Sequence, residues 1–332
     1  EQRRSDLVRI ESAEAFFTLL VEKAEAVWDL ARPHPASVSV ALASLKRYLT
    51  EPRHRIRLHD LFIEEVERTR RELTSERFSV RGLHVDGPLL QQRLRAYEVA
   101  LERLMVLVAA LGYHDTGENA YLLTRCVERL APPVKGSGLV ALIELQDYPA
   151  LLLTYTAGLA AFANRRFRNL AAVLWDPQLL HENRIERVPA VSRLHTWAVF
   201  RQTRKLIPRP DAEREYTPVS EYLFDFFRPM LNPYLPDDSA YQLTFDLFEY
   251  VLALTYMALV DASWLPVGSY WWRYRRLGWD QSPLVRYAEA ELTKGNDSPL
   301  LQSGFFGGSV ERFESLTQRH LKWLREHSGG MP

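Results

Sequence analysis

Apolar side chains recur every three to four residues along most of the chain, and stretches of alternating apolar and polar residues are hard to find. The first spacing places the apolar residues on one face of an α-helix, whereas alternation would indicate a β-strand. The pattern therefore predicts an all-α protein of roughly 11 to 14 helices. Because the helices differ in length and the loops in spacing, we expect an irregular multi-helix bundle with stacked αα-hairpins, solenoid-like in part.

Residues 147–177 show the pattern most clearly and predict two short amphipathic helices folded back on each other. Pro149 fits the first turn of the first helix, where its missing N–H costs no hydrogen bond. A turn at residues 164–166 separates the two helices, and Pro177 ends the second one. Such a hairpin cannot bury its apolar stripe alone, so we expect it to pack against neighbouring helices.

Other helices are predicted on the same grounds, and capping residues, glycines or prolines bound most of them. Ser12 is expected to cap the first helix, and Gly112 is expected to end a long one. Residues 78–88 show no clear period and predict a loop or a short hairpin. The helix at 239–263 is apolar nearly all round, which predicts burial on most sides. The predicted helices cover about residues 12–31, 37–49, 56–73, 90–111, 118–130, 139–145, 191–206, 239–263 and 309–327.

The segment 132–138 contains prolines, glycines and a serine, a composition typical of a connection between folded units. We therefore predict an N-terminal helical bundle over residues 1–133 and a C-terminal helical, aromatic-rich subdomain over residues 139–332. The tyrosines, phenylalanines and tryptophans of the C-terminal third belong to the residue types that supply anchors at protein interfaces.

The 332 residues include 47% hydrophobic ones, enough for a substantial core. The 42 basic and 42 acidic residues balance, so a strongly basic nucleic-acid surface is not a global property. Only six of the basic residues are lysine. The excess of arginine fits a GC-rich genome, or else a use of arginine for bidentate contacts to phosphate or carboxylate.

Cys126 is the only cysteine, so the chain has no disulfide framework, which fits a reducing cytosol. The most apolar run, residues 250–260, has about half the length that a bilayer crossing needs, so we expect no membrane span. Because the chain begins at Glu1 rather than Met, we expect a fragment of a longer protein.

Motifs of common enzyme classes are absent from the sequence: Gly-x-Gly-x-x-Gly, Walker Gly-Lys-Ser/Thr, Gly-x-Ser-x-Gly and His-Glu-x-x-His. Asp115, next to His114, is expected to organise a turn. We therefore predict no enzymatic activity, no metal and no cofactor in this chain. The nearest approach to a metal pattern is a polar stretch that fits a helix surface better: His54, His59, Asp60 and Glu64.

Two arginine clusters are candidates for binding. Arg165, Arg166 and Arg168 lie at the tip of the predicted hairpin and could hold an acidic protein partner, although a solvated helix connection has the same composition. A second cluster, which we call the Trp/Arg segment, interleaves rings and guanidinium groups within residues 270–279. Such residues can stack on bases and contact phosphates, or else form a corner of the core. Its members are Trp271, Trp272, Arg273, Tyr274, Arg275 and Arg276.

Four short sequences resemble the helical C-terminal regions of bacterial multidomain defence proteins: YPALLLTYTAG at residues 148–158, AAVL at 171–174, FEYVLAL at 248–254 and WLPVG at 264–268. The resemblance covers about a third of the chain. In such proteins the helical region follows an effector domain, typically a sirtuin-like or TIR NADase or a Schlafen-type AlbA domain. The resemblance therefore implies a cytoplasmic sensing or assembly region whose enzyme lies elsewhere.

The leading functional hypothesis is a non-catalytic helical module that binds a protein partner, or self-associates, to control an effector domain. The resemblance implies that the partner is a phage component. The alternative hypothesis is a nucleic-acid- or nucleotide-binding module that uses the Trp/Arg segment at residues 270–279.

Overall fold

In the computed structural model, helices make up nearly all regular structure of the described residues, which are 35–82, 84–132, 137–181, 186–207, 217–260, 264–275 and 278–327. The strands within these ranges form one small antiparallel pair. The prediction of an all-α, multi-helix fold is confirmed. The helix predicted at residues 12–31 lies outside the described residues.

The N-terminal half contains α1 (Pro35–Thr50), α2 (Arg55–Leu73), α3 (Gly87–His114), α4 (Ala120–Leu130), α5 (Val140–Glu144), α6 (Tyr148–Ala163) and α7 (Phe167–Leu174). The strands β1 (Gln178–Leu180) and β2 (Arg187–Pro189) follow. The remaining helices are α8 (Thr196–Val199), α9 (Pro218–Leu231), α10 (Asp238–Val260), α11 (Tyr270–Arg275), α12 (Pro283–Thr293), α13 (Pro299–Gln302) and α14 (Val310–Glu326).

Several helices begin where the sequence supplies a capping side chain. Asp86 accepts a hydrogen bond from the backbone N–H of Leu89 at the start of α3. Ser309 accepts one from Arg312 at the start of α14. These caps satisfy backbone donors that have no partner within the first helical turn.

Gly112 lies inside α3, which continues to His114, so the prediction that Gly112 ends the helix is wrong. A Cβ atom on residue 112 would lie 2.7 Å from the carbonyl oxygen of Ala157 on α6. The glycine is therefore required by the close crossing of α3 and α6 rather than by a helix end.

Asp115 organises the turn after α3, as the sequence predicts. Its carboxylate accepts from the backbone N–H groups of Gly117 at 2.8 Å and Asn119 at 3.2 Å. From α7, the buried side-chain amide of Asn169 donates to the carbonyl oxygens of Gly112 at 3.1 Å and Asp115 at 2.8 Å. The end of α3 is thus bonded to α7 through one side chain.

The hairpin of α6 and α7 is confirmed, but the prediction that α6 is amphipathic is wrong. Every residue from Tyr148 to Phe162 is buried, and α6 packs on α3, α4, α7 and α10. The hydroxyls of Thr154 and Thr156 donate to backbone carbonyls within the helix, so their polar groups need no water. Helix α6 is therefore the centre of the fold.

The helix predicted at residues 191–206 is also wrong. The chain forms the β1–β2 pair, with Leu179 opposite Val188, and then the single-turn helix α8 between two 3-10 turns. His195 has an extended backbone, and its Nδ1 accepts a hydrogen bond from the N–H of Ala198. Because His195 caps α8 in this conformation, no helix can run through it.

Helix α10 is buried on most sides, as predicted, although residues 261–263 lie outside the described ones. By length and composition it is the one helix among the described residues that could cross a bilayer, but 72% of its most apolar window is buried within the fold. Such burial is typical of a core helix.

Apolar residues from both sides of residues 133–136 belong to one continuous core, Leu101 and Leu104 on one side and Leu151 and Phe245 on the other. The division into a bundle at 1–133 and a subdomain at 139–332 stays a prediction.

Candidate partner-binding surface

Arg165, at the hairpin tip, reaches the buried carboxylate of Glu291 on α12 with a nitrogen-to-oxygen distance of 3.4 Å. Glu291 also accepts from the Lys294 ammonium at 2.5 Å and the Ser298 hydroxyl at 2.7 Å. The backbone of Arg165 is left-handed, with φ of 52°. This conformation is uncommon for a residue with a side chain and fits a tight turn held by tertiary contacts.

The other two tip arginines also contact their own chain. Arg168 pairs with Asp176 at 2.6 Å, and the Nε of Arg166 donates to the carbonyl oxygen of Tyr113 at 3.5 Å. The structure thus gives all three tip arginines internal contacts, although Arg165 and Arg168 remain exposed. Their role in binding an acidic partner stays a prediction.

Much of the Trp/Arg segment lies in the core. Trp271 is 0% exposed and Tyr274 is 6% exposed, so neither ring is open to a stacked base. The Tyr274 hydroxyl donates to Asp246 at 2.6 Å. Trp272 is partly buried, and its Nε1 donates to the Thr217 hydroxyl at 3.1 Å.

The described arginines of this segment contact acids and rings of the same chain. Arg273 forms an ion pair with the fully buried Asp246. The guanidinium carbon of Arg275 lies 5.7 Å from the ring centroid of Trp271. Arg276 lies outside the described residues. The Trp/Arg segment is therefore better described as an aromatic part of the core than as a surface on which bases stack.

A buried carboxyl connects α10 with the loop that precedes α11. Glu249 accepts from the Tyr155 hydroxyl at 3.0 Å, from the Ser220 hydroxyl at 2.8 Å and from the Ser269 N–H at 3.2 Å. These donors are neutral, and burial raises the pKa of Glu249 to about 8. The buried site therefore favours the protonated carboxyl over the carboxylate.

The imidazole of His320 and the thiol of Cys126 are enclosed as well. Burial lowers the pKa of His320 to about 3, and its Nε2 lies 3.0 Å from the Tyr270 hydroxyl. Burial also raises the pKa of the Cys126 thiol to about 12. A neutral imidazole and a protonated thiol inside the core fit structural roles.

Three aromatic rings stay partly exposed where α8, the end of α10 and the loop at 264–268 meet. Trp197 and Trp264 have ring centroids 5.4 Å apart with planes at 76°, and Tyr256 and Trp264 lie 6.1 Å apart at 89°. These edge-to-face contacts are favourable arrangements of aromatic pairs. We call these three residues the aromatic patch.

Basic side chains border the aromatic patch. The guanidinium carbon of Arg204 lies 4.5 Å from the ring centroid of Trp197. Arg201 is 69% exposed and lies 3.8 Å from Glu144, whose own side chain is mostly buried, and Lys205 is exposed. Among the described residues, the exposed charges at positions 201 and 205 and the guanidinium over Trp197 are therefore positive.

Local structure fixes the ring positions. The ring of His195 lies beneath the patch, 5.2 Å from Tyr256 and 5.7 Å from Trp264, and the same residue caps α8. The indole Nε1 of Trp197 donates to the carbonyl oxygen of Val267 at 3.4 Å. Trp197 could not be predicted as part of a surface patch, because the helical period places it within a helix at residues 191–206, whereas Trp264 lies in the WLPVG sequence at residues 264–268.

No group of three or more His, Cys, Asp or Glu side chains in the described ranges is placed to hold a metal ion. His59 lies beside Asp60 on the surface of α2, 3.4 Å away. No protein-family model, no curated protein and no solved structure matches the chain.

Proposed function

We propose that the chain is a non-catalytic helical interaction module that binds a protein partner at the aromatic patch. The observation that carries this proposal is the set of three partly exposed, mutually packed rings bordered by Arg201 and Arg204. Tryptophan, tyrosine and arginine dominate the binding energy of protein interfaces. Because the rings already hold each other, their contact with a partner costs little side-chain entropy.

The charges around the patch define the chemistry of the partner. Among the described residues, Arg201, Arg204 and Lys205 supply positive charge, and the carboxylate of Glu144, 3.8 Å from Arg201, belongs to a mostly buried side chain. We infer a partner that presents acidic side chains around an apolar contact, since opposite charges speed association and fix orientation.

The titratable groups support a module without chemistry of its own. Glu249, His320 and Cys126 are buried, and the first two are hydrogen-bonded to neighbouring side chains. A catalytic group must reach a substrate, and each of these three is enclosed by the core.

The resemblance of residues 148–174 and 248–268 to helical regions of bacterial defence proteins supports a more specific proposal. The module would be cytoplasmic, its partner would be a phage component, and binding would control an effector domain carried elsewhere. Trp264 of the patch belongs to the second of these regions. Nucleic-acid binding by the Trp/Arg segment is less well supported, because Trp271 and Tyr274 are buried.

Site-specific photocrosslinking tests the binding surface. Gln202 is exposed beside the patch, and Gln91 is an exposed control position on α3. The chain carrying p-benzoylphenylalanine at position 202 is irradiated with each of a panel of purified phage structural proteins. We expect it to form a crosslink with one of them, and we expect no crosslink when the photoreactive residue is at position 91. The double variant Arg201→Glu with Lys205→Glu should abolish the crosslink. The control variant Arg55→Glu with Arg57→Glu changes the net charge by the same amount and should leave the crosslink intact.

Thermal unfolding of each variant checks that it is folded. Sedimentation of the purified chain with and without the crosslinked protein measures the complex independently. A strict monomer that crosslinks to none of the panel would contradict the proposal, and a crosslink to a second copy of the chain would replace it with self-association.

A further inference from the structure

A groove of about 390 Å³ opens between α2, α4 and the β1–β2 pair. Four arginines from these three elements line it: Arg70, Arg125, Arg129 and Arg187. This volume lies within the range of small-molecule sites.

Two acids lie close to three of these arginines. Glu67 lies 3.1 Å from Arg70 and 3.3 Å from Arg129. Glu128 lies 4.0 Å from Arg187 and accepts a hydrogen bond from the backbone N–H of Gln178. Among the described residues of the lining and its ion pairs, four guanidinium groups thus face two carboxylates, which gives this part of the groove a net positive charge. The ion pairs with Glu67 orient the guanidinium planes of Arg70 and Arg129.

Arg125 has no carboxylate among these contacts. Its guanidinium nitrogen lies 3.5 Å from the Nε2 of His59, and its guanidinium carbon lies 5.9 Å from the ring centroid of Tyr121. The side chain is exposed at the groove. It can therefore turn its donors to an incoming anion without breaking an ion pair with an acid.

The rest of the lining consists of Gln178 and four apolar residues, of which Pro132 and Leu180 are partly exposed and Ala131 and Leu179 are buried. Partly exposed apolar side chains beside guanidinium groups suit a ligand that combines an uncharged body with a concentrated negative charge. A diphosphate group carries at least two negative charges, and guanidinium groups bind phosphate oxygens in a bidentate manner.

We propose that this groove binds the diphosphate group of a small molecule. The site is separate from the aromatic patch, with which it shares no residue, and the proposal does not depend on protein-partner binding. Arg125 and Arg129 would contact the phosphates, while Glu67 would keep Arg129 oriented.

Calorimetric titration of the whole chain with inorganic pyrophosphate, ADP and adenosine, at constant ionic strength, tests the proposal. We expect saturable one-to-one binding of the two diphosphates and none of adenosine. Tighter binding of ADP than of pyrophosphate would identify a nucleotide as the natural source, and equal binding would identify free polyphosphate. Both results support a diphosphate site.

Variants distinguish a specific diphosphate site from nonspecific electrostatic attraction of anions. Arg125→Ala with Arg129→Ala should weaken diphosphate binding about 100-fold, since two charge-assisted contacts are lost. Arg125→Lys with Arg129→Lys keeps the charge but not the planar forks, and should give an intermediate loss. Arg55→Ala with Arg57→Ala removes two exposed cations from the same helix as Arg70 and should leave binding nearly unchanged.

Two results would overturn the proposal. One is the absence of saturable binding of either diphosphate to the folded chain. The other is an equal loss of binding in the groove variant and in the Arg55/Arg57 control, because binding would then follow net charge alone. Thermal unfolding of each variant shows whether the fold is retained.

Discussion

Gly268 approaches the carboxyl of Glu249 so closely that a Cβ atom on residue 268 would lie 1.7 Å from Oε2. The next residue, Ser269, donates its N–H to the same oxygen at 3.2 Å and to the Ser220 hydroxyl oxygen at 3.0 Å. The loop at 264–268 is thus held on α10 through a buried carboxyl, and it carries Trp264 to the aromatic patch.

Gly268→Ala is expected to lower the free energy of unfolding by about 3 kcal/mol or more, because the overlap can be relieved only by moving Glu249 or the loop. Urea denaturation measures this change. Gly82→Ala is the control, since the nearest atom to a Cβ at residue 82 is 3.7 Å away, an ordinary contact. Equal effects of the two substitutions would contradict the close approach.

Stability should depend on pH through Glu249. Burial raises the pKa of this carboxyl from 4.5 to about 8, so the folded chain keeps a proton that the unfolded chain releases. The free energy of unfolding should therefore fall as pH rises from about 4.5 to about 8, and no further above that. Glu249→Gln cannot ionise and should reduce this slope, to which Glu98 and Asp246 also contribute because burial raises their pKa values.

Urea titrations at about pH 4 and about pH 9 give the comparison. At the higher pH the Glu249→Gln variant should be more stable than the native chain by a few kcal/mol, on the order of 1.4 kcal/mol for each unit of pKa shift. At the lower pH, where both forms are uncharged, the two should be similar. A parallel pH dependence of the two proteins would exclude a titrating Glu249.

His320 should produce the opposite dependence in acid. Burial lowers its pKa from 6.5 to about 3, so the unfolded chain takes up a proton that the folded chain does not. The free energy of unfolding should fall as pH drops from about 6.5 to about 3, and His195 adds to the same slope because its pKa is also lowered to about 3.

His320→Gln should reduce this acid slope by the contribution of one proton, measured by urea denaturation from about pH 7 down to about pH 4. Tyr270→Phe is the matched control, because it removes the hydrogen bond to His320 and leaves the imidazole in place. An unchanged slope in His320→Gln would show that another group titrates.

The long helices could be predicted because their signals are local. The period and the flanking breakers placed one helix at 56–73 and another at 309–327, and α2 and α14 lie within a residue of these bounds. The role of Gly112 could not be predicted from such local signals. Whether a glycine ends a helix or admits a neighbour depends on Ala157, which the sequence does not place beside it.

The residues of each candidate surface are distant in sequence and come together only in the fold. Trp197 joins Tyr256 and Trp264 only because His195 interrupts the predicted helix. The groove arginines come from α2, α4 and β2, and in sequence those on the helices look like solvated helix faces. Conversely, the sequence around Trp271 is compatible with a ring on which bases stack, but packing with other elements buries this side chain in the core.

Arg273 forms an ion pair with Asp246 across α11 and α10. Asp246 is fully buried, so Arg273→Met should leave a carboxylate without its cation and cost about 3–5 kcal/mol of stability. Adding Asp246→Asn should cost less than the sum of the two single changes, which a double-mutant cycle by urea denaturation measures. Additive costs would contradict the pairing.

Because Arg273 is paired internally, the folded Arg273→Met variant should bind single-stranded oligonucleotides no differently from the native chain. Salt-sensitive binding that this variant loses while folded would instead support the nucleic-acid hypothesis for the Trp/Arg segment.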